Sequence, residues 1–298
     1  MSQVEGMTKE EKIKLLRGID EGEDYFTNYL PIIKEYLNDE DAEVRALAVE
    51  CLWDYPEPEM IDTLIEMAQH DPSQEVRSKA LVVMGRYIYE GEMAAYDFDW
   101  GEMEEFMREG ELPREDFLRV KEFLLGVIRD EGQSLDSRRF AIEALGYLNE
   151  PEVWDIIEDA YQHPDVKMKM SAIFAMGRQA NVRWKDIILE ELDSPVPELQ
   201  YEAVRAAGES YLEEATPRLM ELALTEGDKD LQLAAIFALG RTGGEGTFEF
   251  LDDLTFDDDE EISEVAEVAL EEWYIYHSQE ELDEFEDWEE WEDEDEFL

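Results

Sequence analysis

The sequence predicts an all-α fold: a right-handed α-α superhelix, or α-solenoid, of seven to eight helical hairpins followed by an acidic C-terminal tail. Three observations lead there. The nine residues MSAIFAMGR, Met170–Arg178, return almost unchanged as LAAIFALGR, Leu233–Arg241. The glycines of these two stretches belong to a longer series with one period. The residues at fixed distances before each member of the series spell an amphipathic helix and its cap.

With that glycine as a register mark, equivalent positions fall at Trp53, Gly85, Gly146, Gly177, Gly208, Gly240 and Glu271, at steps of 32, 61, 31, 31, 32 and 31 residues. A fixed period of this size is the signature of a stacked repeat. The double step holds either an insertion or a decayed copy.

Within each copy the second helix is the more regular. Five positions before the mark stand Ala48, Ala80, Ala141, Ala172, Ala203, Ala235 and Ala266. One before it are Leu52, Met84, Leu145, Met176, Ala207, Leu239 and Leu270, and nine before it are Val44, Val76, Met168, Leu199, Leu231 and Ile262. Offsets of four, five and nine residues share one face of a 3.6-residue helix. Twelve before the mark, Asp41, Ser73, Ser134, Asp165, Asp228 and Asp259 are N-cap residues. Segments such as PEMIDTLIEMAQ and PEVWDIIEDAYQ supply a first helix, with proline suited to its first turn. Neither helix of such a hairpin buries its apolar face alone, so stacking must supply the core.

The stretches DAEVRALAVECLW, SQEVRSKALVVMG, SLDSRRFAIEALG, DVKMKMSAIFAMG and DKDLQLAAIFALG resemble the HEAT repeat, in the short form of phycobilin-lyase-like proteins. The resemblance covers roughly residues 24–277. It implies a solenoid whose first helices line the convex side and second helices the concave side, and a role as a binding scaffold. It also implies that the basic residue eight before the mark pairs with an acid of the neighbouring copy. That residue is Arg45, Arg77, Arg138 and Lys169, then Gln200, Gln232 and Ser263, so the C-terminal copies are expected to use other contacts. The domains read as an N-terminal helix or cap at 1–23, the solenoid at 24–277 with an irregular insertion near 86–115, and the tail at 278–298.

Composition narrows the function. The 298 residues carry 81 acids against 25 bases, a formal charge of −56, which opposes direct binding to nucleic acid or to an anionic membrane. The 57 residues from Thr242 onward hold 26 acids and no Lys or Arg. One cysteine, Cys51, excludes an internal disulfide and occupies a small buried repeat position. With no apolar leader in MSQVEGMTKEEK and no long apolar run, a cytoplasmic monomer is expected. The HEAT-like di-iron hydroxylases carry His-Glu pairs, whereas the three histidines here read His70-Asp71, His163-Pro164 and His277-Ser278. GRTGGEG, Gly240–Gly246, reads as an interhelical turn rather than a phosphate loop. No catalytic residue, cofactor or metal ligand is assigned, and the chain is read as a non-enzyme.

Binding residues are assigned in three places. Seven and three positions before the mark, opposite the buried alanine, Met170/Phe174, Tyr201/Arg205 and Leu233/Phe237 make an apolar, aromatic ridge on the concave side. In the insertion, Tyr96, Phe98 and Trp100 stand among acids in what is either a decayed repeat or a partner-binding flap. In the tail, Ser278 and Glu281 form a capping-box signature where a helix could start, with Leu282, Phe285, Trp288 and Trp291 close to one helical stripe. Repulsion among the intervening acids is expected to leave the segment flexible in isolation and ordered only when bound to a basic protein or across the solenoid's own basic spots. The reading is a non-catalytic acidic scaffold or adaptor that binds a basic protein or peptide. The alternative is a regulatory protein whose tail mimics nucleic acid in a basic partner's site; a chromophore-lyase-like enzyme ranks below both.

Overall fold

The computed structural model describes residues 6–22, 27–94, 112–225 and 227–289, with side chains as far as residue 277 of the last helix. Among these residues the regular structure is α-helix with short 3-10 turns, and there is no strand. The chain divides into two compact units, Met1–His163 and Pro164–Leu298. The first holds α1 (Lys9–Asp20), α2 (Leu30–Tyr36), α3 (Ala42–Glu50), α4 (Ile61–His70), α5 (Gln74–Met93), α6 (Arg114–Arg129), α7 (Leu135–Leu145) and α8 (Pro151–Tyr161). The second holds α9 (Val166–Gln179), α10 (Lys185–Glu191), α11 (Pro197–Glu209), α12 (Thr216–Ala223), α13 (Lys229–Thr242), α14 (Thr247–Leu254) and α15 (Glu260–Glu289).

In the first unit the second helices α3, α5 and α7 pack in that order, with α1 covering α3. In the second unit α9, α11, α13 and α15 do the same, backed by α10, α12 and α14. All seven register alanines have no exposed surface, and the apolar residues nine before the mark are buried with them. The glycines explain how the helices come this close. A methyl group on Gly177 would lie 2.8 Å from the Ala206 Cα, and one on Gly208 3.1 Å from the Ala238 Cα. On Gly240 it would fall onto the Ala269 carbonyl oxygen.

Five of the six N-caps work as the sequence predicts. Asp41, Ser134, Asp165, Asp228 and Asp259 accept backbone N–H bonds from Glu43, Ser137, Lys167, Leu231 and Glu261. Ser73 makes no side-chain cap; its own N–H is taken by Asp71 Oδ1 at 2.8 Å. GRTGGEG is a turn, with Gly243, Gly244 and Gly246 all at positive φ.

The position eight before the mark differs from expectation. Arg45 does pair with an acid of the next copy, Asp71, through two bonds of 2.8 and 2.9 Å. The shared role is another one: the side chain donates to a carbonyl at the end of its own copy's first helix. Arg77 reaches the Asp71 carbonyl, Arg138 that of Ile128, Gln200 that of Leu192, Gln232 that of Ala223, and Ser263 that of Thr255. Terminal helix carbonyls lack partners within the helix, and a neutral amide or hydroxyl serves them as well as a guanidinium does. The C-terminal copies therefore keep the carbonyl contact without a base, though not an ion pair like that of Arg45 with Asp71.

Two segment boundaries also move. Residues Arg86–Met93 belong to α5, because Tyr87 and Ile88 are fully buried and the Tyr87 hydroxyl donates to the Glu57 carbonyl. Residues Arg114 and Glu115 open α6. Helix α5 packs directly on α7, with Gly85 against Ala144, so no copy stands between them in the stack. Tyr96, Phe98 and Trp100 lie outside the described residues. No helix starts at Ser278, since α15 runs unbroken from Glu260 to Glu289. Extending a helix already capped at Asp259 and packed on α13 costs less than nucleating a new one.

Two outcomes follow for the core. Gln200→Leu strands the Leu192 carbonyl and should lower unfolding free energy by about 1–3 kcal/mol, with Gln200→Arg retaining most of it, as read by urea denaturation. Equal stability of Gln200→Leu and the unaltered chain would remove the carbonyl-capping role. Cys51 is buried with Sγ donating to the Leu16 carbonyl at 3.3 Å, and burial, aided by Asp20 and Glu50, pushes its thiol up to about 12. DTNB at neutral pH should label it only after unfolding; rapid labelling of the native protein would show that the thiol is accessible.

Candidate functional site

The expected ridge lies wholly within the second unit, where α9, α11 and α13 present equivalent faces. Tyr201 and Phe237 are each 36% exposed, while Met170, Phe174, Arg205 and Leu233 are half-buried. Such exposure arises from the register. The mark and the alanine five before it face the neighbouring helices, which turns the positions seven and three before it outward.

Arginines hold the rings in place. The Phe174 ring has the Arg178 guanidinium 5.1 Å from its centroid on one side and that of Arg205 at 5.9 Å. Arg241 stands 5.3 Å from the Phe237 centroid. Contacts of this kind contribute about 0.5–1 kcal/mol each where solvent reaches them. Each arginine also meets a carboxylate: Arg178 with Glu209 at 2.9 Å, Arg241 with Glu272 at 2.9 Å, and Arg205 with Glu202 at 3.5 Å. The face is therefore aromatic, cationic at close range and neutral in sum.

Between α11 and α13 the ridge opens into a cavity of about 260 Å³. Tyr201 and Phe237 form its apolar walls, Arg205, Arg241 and Glu209 its polar rim, and Gly208, Ala234 and Ala238 its floor. The small floor residues create the space, and two of them are small because α11 and α13 cross at Gly208 and Ala238. The structure thus brings Tyr201, Arg205 and Phe237 around one hollow. Met170, Phe174 and Leu233 are not among the residues that line it. Phe285 and Trp288 fall on the helical backbone of α15, and Trp291 lies outside the described residues.

Sequence reading did not single out Arg178 and Arg241, although the alternation Arg178, Glu209, Arg241, Glu272 one residue after each mark signals a ladder between copies. It also passed over the aromatic run Trp273–Tyr276. There Tyr211 and Tyr276 lie 5.0 Å apart, and Phe248 meets Trp273 at 5.2 Å. Among the described residues no group of three or more His, Cys, Asp or Glu converges to hold a metal ion, and no helix is long and apolar enough to cross a membrane. His70 is exposed at the end of α4, and the His277 ring lies against Trp273 with Nε2 3.3 Å from the Arg241 carbonyl.

Comparisons with known proteins complete the description. Among curated proteins no sequence relative matches. Solved structures similar to this chain include yeast importin-β (Kap95p), 13% identical over 91% of this chain and 39% of its own, with a TM-score of 0.49. The complex of CpcE and CpcF of phycocyanin lyase from Nostoc sp. is 14% identical over 83% of this chain and 95% of the other, TM-score 0.49. Human deoxyhypusine hydroxylase is 14% identical over 90% and 91%, TM-score 0.38. The family model for HEAT repeats matches residues 10–96 and 185–271, more than half of the sequence. With the helical hairpins and their shared register, that match places the chain in the HEAT-repeat family.

Proposed function

We propose that this chain is a non-catalytic, acidic HEAT-repeat scaffold that binds a basic protein or peptide as a cytoplasmic monomer. In this reading residues 1–23 cap a solenoid spanning 24–277, and the acidic segment 278–298 assists capture of the partner. One observation carries it: exposed Tyr201 and Phe237, the latter with the Arg241 guanidinium over its ring, line an open cavity. Burying such a side chain against a partner contributes about 1.5–3 kcal/mol, and aromatic anchors of this kind dominate interface energetics. The charge supplies the rest. Bases in this chain are largely spent on acids of neighbouring copies, as in Lys12–Asp39, Lys79–Glu50, Lys121–Glu150 and Lys229–Asp259. The surplus carboxylates attract a cationic partner over roughly 8–10 Å at physiological salt.

Capture from lysate by the immobilised chain, with bound proteins identified by mass spectrometry, tests the proposal. Basic proteins should be retained at low salt and released as salt rises, and Phe237→Ser combined with Tyr201→Ser should weaken retention at least about tenfold at unchanged helicity. Capture that survives both substitutions would remove the ridge from the function.

A further inference from the structure

The exposed face of the second helices in the second unit has two chemically different parts, on neighbouring helices. On α11 and α13 it is the aromatic cavity, whose arginines are met by carboxylates from within the protein. On α15 the equivalent positions, seven and three before the mark, are Glu264 and Val268, where α13 carries Leu233 and Phe237. Glu264, Glu267, Val268 and Glu271 are all exposed. The three glutamates form no ion pair among the described residues, and the sequence has no Lys or Arg beyond Arg241. The register mark is itself Glu271 here, so the close glycine crossing that joins earlier copies does not recur on this face. Helices α13 and α15 are packed neighbours, tied by Arg241 to Glu272 at 2.9 Å.

We infer that the ligand is a partner-protein segment with a bipartite signature: one large apolar residue for the cavity, and Lys or Arg placed to reach α15. The inference deepens the function proposed above and rests on it. Packed helices lie about 8–10 Å apart, and an extended chain advances about 3.3 Å per residue. Counted from the Phe237 wall of the cavity on α13, the basic group therefore stands about three residues from the anchor. Charge complementarity fixes this choice of occupant. An acidic segment would set its carboxylates against Glu209 at the cavity rim and against unpaired Glu264, Glu267 and Glu271. A second copy of this chain would bring another −56 to the same face.

Two fluorescein-labelled synthetic peptides of identical composition test it by fluorescence anisotropy. In one, a Trp stands three residues before a Lys-Arg-Lys run; in its isomer, the Trp is moved to the far end. The first should bind the unaltered chain at least about fivefold more tightly. Ala234→Phe, which fills the cavity, should abolish that preference and leave the isomer's weaker binding unchanged. Glu264→Gln with Glu267→Gln and Glu271→Gln should weaken both peptides and flatten their salt dependence. Equal affinity of the two isomers for the unaltered chain overturns the bipartite signature alone, and needs no variant to fold. A preference that persists in folded Ala234→Phe overturns the cavity as its seat. Binding of neither peptide overturns both this inference and the function beneath it.

Discussion

The near-contact of successive second helices, glycine over alanine, is the constraint from which the rest of each unit follows. At Gly177 and Gly240 a Cβ would strike the backbone of the next copy at Ala206 and Ala269, and at Gly85 and Gly208 it would press on Ala144 and Ala238 at 3.2 and 3.1 Å. Interiors pack at crystalline density, so this approach fixes the spacing and relative rotation of the helices. It also sets the ridge. Because α9 and α11 lie so close, one phenylalanine is shared between arginines of both helices. Because α11 and α13 cross at small residues, a cavity opens beside the crossing. Where no described copy follows, the mark is Glu271 and the requirement lapses.

Charge is arranged around that frame. With 81 acids and 25 bases, cations are scarce, and many bridge adjacent copies. Exposed pairs of this kind contribute little singly, about 0–1 kcal/mol. Arg45 with Asp71 is different, being bidentate and largely buried at 11% and 7% side-chain exposure. Burial raises the Asp71 carboxyl, but the Arg45 guanidinium, the Ser73 N–H and Arg77 together outweigh it and hold the group below its ordinary value. Its contribution to stability is present above the ordinary carboxylate range and is lost as pH falls through the lowered value. The same economy leaves the ridge neutral and its surroundings acidic.

Much of this fold was legible in the sequence because a repeat writes its constraints several times. Seven alanines and six apolar positions gave the buried face, and six cap residues gave helix starts, of which only Ser73 bonds differently. The ridge positions followed from the same register. What failed was whatever depends on a partner the pattern does not name. The donor eight before the mark pairs with a neighbouring acid at Arg45 as expected, but the acceptor it shares across copies, a carbonyl, has no sequence signature. The tail's capping box was misread because a helix already running overrides a local start signal. The arginine-glutamate ladder lay in plain register but gains meaning only once the helices are known to touch.

The most direct test of the glycine crossing is the unfolding free energy of three alanine variants in chemical denaturation. Alanine is the better helix former by about 1 kcal/mol, so helix propensity alone makes all three variants more stable. Gly126→Ala, whose methyl group meets nothing within 4 Å, should gain about 0.5–1 kcal/mol. Gly177→Ala and Gly240→Ala should instead lose about 1–3 kcal/mol, because the neighbouring backbone must move. Gains at all three positions would contradict the account, since the second helices would then have room that the structure denies them.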